Sequence, residues 1–144
     1  MRLRVFLFLL PLFLGMGCDN TVPCVGFECE LSGKWNITHV DDASKNWGVL
    51  EVYQDLTGGR LTLYQDSGAI LMRTAYGGGY WGDDQFNLSL WNMTMPDGNI
   101  LSFEAYVDAW TKTSFTLRMI KSPGQNSVEM LKFGRVWKLT KQAD

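Results

Sequence analysis

The stretch Pro96-Asp-Gly-Asn-Ile100-Leu-Ser-Phe-Glu-Ala-Tyr-Val-Asp-Ala-Trp110 decides the fold class. It opens on Pro96-Asp-Gly-Asn99, a turn whose proline and glycine set the backbone angles of a tight reversal. It continues as a strict alternation. Leu101, Phe103, Ala105, Val107 and Ala109 fall on one side, and Ser102, Glu104, Tyr106 and Asp108 on the other. Successive side chains of a strand point to opposite faces, so a period of two predicts a half-buried strand over Asn99–Trp110.

The same reading works outward in both directions. Towards the C-terminus, Ser114–Lys121 alternates with Phe115, Leu117 and Met119 inward, and Pro123-Gly-Gln-Asn126 turns the chain. Ser127–Thr140 forms a last run whose alternation slips near Gly134, as at a β-bulge. Towards the N-terminus lie runs at Gln85–Asn92, Ile70–Tyr76, Arg60–Gln65, Trp47–Gln54 and Gly33–Val40. Asp55–Gly59 and Asp66–Gly68 read as turns, and Gly77–Asp84 as a glycine-rich loop. The runs contain no proline, as expected where each amide must donate to a ladder. Short turns between consecutive strands predict an antiparallel meander. Eight strands suffice to close it and remove its edges. The predicted fold is all-β, an eight-stranded up-and-down antiparallel barrel. A two-sheet sandwich shares the local pattern and is the alternative.

The N-terminus carries a different signal. Arg2 and Arg4 precede an apolar run from Val5 to Leu14, too short for a permanent span. Gly15, Gly17 and then Cys18 follow, an arrangement that resembles the lipobox of bacterial lipoproteins. That resemblance implies a signal peptide over 1–17 and acyl chains, palmitate among them, on Cys18. It implies an envelope protein held to the inner or outer membrane without spanning it. Residues 18–32 then form a tether and stapled lead-in segment, and 33–144 the barrel. Export to an oxidising compartment makes Cys24 and Cys29 a candidate disulfide. Half of a metal site is the other reading of this pair, but two cysteines and one histidine do not complete a zinc centre.

Leu-Ser-Gly33-Lys-Trp35 at the first strand and Val136–Lys141 at the last, with a meander between, resemble the lipocalin-like domains of bacterial surface lipoproteins. The resemblance implies that Trp35 closes one end of the barrel. It also implies a basic residue from near the C-terminus beside it, with Arg135, Lys138 and Lys141 as candidates.

The formal charge is −2, and it falls by two more once Arg2 and Arg4 are removed. With no basic run, nucleic acid is not an expected partner. His39 is the sole histidine, and no Gly-x-Ser-x-Gly elbow accompanies it, so no enzyme is expected. No cofactor or metal is expected either. Asp41-Asp42 and Asp83-Asp84 read as solvated turn residues. The leading expectation is a small apolar or amphipathic ligand inside the barrel. Met72, Phe86, Leu88, Leu90, Phe103, Phe115, Leu117 and Met119 would contact it, with Tyr80 and Trp81 at the mouth. The alternative is a protein-interaction or inhibitor module acting through exposed loops. A filled interior and exposed exterior aromatics would favour it.

Overall fold

A computed structural model describes residues 30–81, 87–124 and 126–143. The strands are β1 (Gly33–His39), β2 (Asn46–Val52), β3 (Gly58–Tyr64), β4 (Ile70–Trp81), β5 (Asn87–Thr94), β6 (Ile100–Asp108), β7 (Ser114–Lys121) and β8 (Val136–Lys141). Each pairs antiparallel with the next, and β8 returns to β1, so the sheet is a closed up-and-down barrel. Closure sets Trp35 opposite Lys141 and Ile37 opposite Leu139. A closed sheet leaves no unpaired edge, which is the reason the barrel rather than the sandwich satisfies these strands.

The core is the inward face. Trp35, Ile37, Leu50, Leu61, Leu63, Leu90, Phe103, Phe115, Leu117, Trp137 and Leu139 are buried there. One end, where β1 starts and β8 finishes, is closed by Trp35 under Leu31. The Trp35 Nε1 donates to the Leu31 carbonyl at 2.7 Å, and its ring meets Phe115 edge-on at 4.6 Å. The opposite end is closed by the connection between β7 and β8. There a short 3-10 turn at Glu129–Leu131 buries Leu131, and Val128 joins the core beside it. The Trp137 Nε1 ties this lid down by donating to the Met130 carbonyl at 2.8 Å.

Four features differ from the sequence reading. Gly77–Trp81 is not loop but the end of β4, with Gly77 opposite Trp91, Gly78 opposite Leu90 and Tyr80 opposite Leu88. Glycine's weak strand preference is overridden because bare backbone is needed there. A Cβ on Gly78 would lie 3.0 Å from the Tyr76 ring and 2.9 Å from the Ser89 carbonyl. Gly58 and Gly59, read as turn, open β3 for a related reason. A Cβ on Gly59 would lie 1.8 Å from the Glu51 carbonyl and 2.7 Å from the Tyr76 hydroxyl.

The eighth strand is also much shorter than its run. The slip near Gly134 is not a bulge but a tight turn. Gly134 takes a φ of +80°, its amide donates to the Met119 carbonyl, and β8 begins only at Val136. Finally, β5 extends past Asn92 to Thr94. Asn92 adopts a φ of +57°, and the register with β6 shifts between Leu90 and Met93. The shift turns Met93 and Met95 into the core, where a period of two continued from Leu90 would have pointed Asn92.

Candidate functional site

The inward residues expected to meet a ligand do share one interior. Met72, Leu88, Leu90, Phe103, Phe115, Leu117 and Met119 are all buried, none more than 5% exposed. Tyr80 and Trp81 lie at the end of β4, opposite Leu88 and Asn87. Phe86 lies outside the described residues, as do Cys18, Cys24 and Cys29 and the pair Asp83-Asp84. Two residues on the apolar side of the sixth run are not enclosed: Leu101 is only half-buried, and Ala109 is exposed, with a φ of +48° just past the end of β6. Ile70, at the start of β4, is exposed because the register of β3 and β4 shifts beside it.

The interior has few polar groups, and these serve the backbone. The Thr74 hydroxyl donates to the Ala75 carbonyl and accepts from the Thr94 amide, both at 2.9 Å. That pair bridges β4 to β5 beside the β5 bulge. The Tyr76 hydroxyl donates to the Glu51 carbonyl at 3.1 Å, across the space left by Gly59. Burial pushes the Tyr76 phenol far above its ordinary pKa, with the charges of Tyr53 and Glu51 adding to the effect. It therefore stays a neutral donor.

His39 is half-buried at the rim. It meets Trp47 edge-on at 4.8 Å, and its Nδ1 accepts from the Asp41 amide at 3.1 Å. Asp42 beside it caps a turn. Hydrogen bonds from the Ser44 hydroxyl and amide hold its carboxyl below the usual range. These are the contacts of a loop that shapes the β1–β2 connection.

Two clefts among the described residues lie on the outside of the barrel. One cleft, of about 540 Å³, runs along the outer edge of the end where the chain enters. It is lined by Ser32, Lys34, Glu51, Gln54, Lys141 and Gln142, among others. A second, of about 290 Å³, continues over the outer face of β1–β4, where Lys34, Glu51, Arg60, Thr62, Tyr64 and Arg73 border it. Both share Lys34, Glu51 and Gln142. Gln142 is fixed by two bonds: its amide donates to the Lys34 carbonyl at 2.8 Å, and its Nε2 donates to the Asn36 Oδ1 at 2.7 Å.

Sequence reasoning did not single out this cleft. Its members come from five strands, β1–β4 and β8, and from the segments beside them, and its charged members Lys34, Glu51, Arg60 and Arg73 are ordinary outward residues in their own runs. The exterior also carries exposed apolar side chains, including Trp91, Trp110, Ile100 and Phe133, the last 74% exposed.

Comparison of the chain with protein-family models, with curated proteins and with solved structures gives no significant match. Among the described residues, no helix is long and apolar enough to cross a membrane.

Proposed function

We propose that this protein is a lipid-anchored envelope lipoprotein, held through Cys18, whose barrel is a rigid non-enzymatic scaffold that binds through its outer surface. The observation that carries this reading is the contrast between the two faces of the sheet. Among the described residues, every strand contributes buried side chains to the interior, including the aromatics Trp35, Phe103, Phe115 and Trp137. An eight-stranded barrel is just wide enough to be filled by side chains or to hold one small ligand, and large residues favour filling. The clefts and several large aromatics face outward instead. A disulfide between Cys24 and Cys29 would stiffen the segment between anchor and barrel.

The interior-ligand reading has one observation in its favour. Met72, Met93, Met95 and Met119 sit in the core, and unbranched thioethers can rearrange around an irregular guest. Native mass spectrometry of the purified protein separates the two. A preparation free of any apolar adduct, and unable to take up an apolar dye at one per chain, fits the outer-surface reading. A stoichiometric apolar adduct would overturn it in favour of the interior.

A further inference from the structure

The charges on the barrel wall are unevenly distributed. The chain as a whole is acidic, yet within β1–β4 the acid is Glu51 alone and the bases are Lys34, Arg60 and Arg73. All four line the connected outer clefts. Elsewhere Lys112 pairs with Glu30, Lys121 with Glu104, and Lys132 and Arg135 with Glu129, while Lys45, Arg118 and Lys138 make no such pair among the described residues and line neither cleft. Among the described residues, Lys34, Arg60 and Arg73 form no such pair. Lys141 borders the same cleft, but its ammonium is committed to the Trp35 ring and the Glu30 carbonyl.

Register explains how the three come together. Lys34 stands opposite Glu51, and Glu51 opposite Arg60. In the next row Val49 stands opposite Thr62, and Thr62 opposite Arg73. Arg60 and Arg73 are therefore diagonal neighbours on adjacent strands, about 7–8 Å apart and within reach of one bound group. Lys34 approaches from two strands away, roughly 10 Å, given strand spacings near 4.8 Å. Neutral groups complete the surface: the amides of Gln54 and Gln142, and Thr62 and Tyr64.

We propose that this outer cleft of β1–β4 binds a phosphate-bearing anion, gripped by Arg60 and Arg73 and joined by Lys34. A guanidinium presents paired donors that match phosphate oxygens, and two of them facing one group favour a dianion. Glu51 stands between Lys34 and Arg60 and repels an incoming anion, which the three cations must outweigh. The space is larger than one inorganic ion needs. It suits a phosphate with a body attached, either a soluble ester or the headgroup of a lipid. The cleft includes Ser32 and Gly33, at the N-terminal edge of the barrel. This inference deepens the outer-surface reading and rests on it.

The test is calorimetric titration of the full-length protein with two probes, inorganic pyrophosphate and dihexanoyl phosphatidylglycerol kept below its micellar concentration. At least one probe should bind at one per chain and weaken as salt rises. Tighter binding of the lipid points to a headgroup, and tighter binding of pyrophosphate to a soluble ester. Arg60→Ala with Arg73→Ala should weaken binding at least tenfold. Glu51→Gln, which removes the repelling carboxylate, should tighten it about threefold or more. Lys138→Ala, on the outside of β8 and away from the cleft, should leave it unchanged. Circular dichroism of each variant confirms that the barrel is intact. Failure of both probes to bind overturns the proposal, and so does binding unaffected by either the arginine or the Glu51 substitution. Failure here with no apolar adduct in mass spectrometry removes only the anion site. An interior adduct removes the outer-surface reading itself.

Discussion

The Lys141 ammonium lies 5.3 Å from the centroid of the Trp35 ring and donates to the Glu30 carbonyl at 2.8 Å. The two residues are also directly opposite in the pairing that closes the barrel. One contact thus joins the first strand, the last strand and the incoming chain. Of the three basic residues offered by the resemblance, Lys141 takes this position. Lys138 stands opposite Thr38 and faces outward, and Arg135 is drawn to Glu129.

Trp35→Ala should therefore be among the most damaging single changes. It removes a fully buried ring, its edge contact with Phe115 and a buried hydrogen bond to Leu31. The expected loss is about 3–5 kcal/mol in urea unfolding. Lys141→Met keeps the aliphatic stem and removes the charge, and should cost only about 1–2 kcal/mol. Equal effects of the two would mean that the ring is not buried in solution.

Gly59 and Gly68 should respond very differently to alanine. At Gly59 the added carbon meets the Glu51 carbonyl and the Tyr76 hydroxyl, both parts of the barrel wall. Gly59→Ala should destabilise by roughly 1–3 kcal/mol or shift the β2–β3 register. Gly68 has a φ of +82° but open space around it, so Gly68→Ala should cost only about 1–2 kcal/mol of backbone strain. Thermal melts of the pair, with amide exchange across β2 and β3, check both.

The lid between β7 and β8 should loosen in acid. Hydrogen bonds from Lys132 and then Arg135 hold the Glu129 carboxyl below its ordinary pKa. A depressed carboxyl contributes stability above its unfolded pKa, and that contribution is lost as the pH falls through the folded value. Amide exchange at Leu131 and Lys132 should therefore accelerate below about pH 4, near the ordinary glutamate range. In Glu129→Gln the same amides should exchange faster already at neutral pH, with no further acid step.

At the N-terminus, Cys18→Ser should move the protein from the membrane to the soluble fraction and abolish fatty-acid labelling. Unchanged fractionation would sink the anchor. Thiol titration of the unreduced protein should find Cys24 and Cys29 unreactive. Two titratable thiols there would remove the disulfide.

The sequence by itself determined the class of fold, because period-two alternation and turn residues are local properties of the chain. The run at Ser114–Lys121 coincides with β7, and Phe103, Phe115, Leu117 and Met119 are core residues readable from alternation alone. Tertiary structure decided what depends on a neighbouring strand. Gly77–Trp81 became strand because β5 supplies the partner for its backbone and the Tyr76 ring needs the space. Met93 and Met95 turned inward because β5 shifts register against β6 at Asn92. The outer cleft was invisible for the same reason. Lys34, Glu51, Arg60 and Arg73 are scattered along the chain, and they meet only because four antiparallel strands set them in adjoining rows. Alternation says which face a side chain takes. Only pairing says what stands beside it on that face.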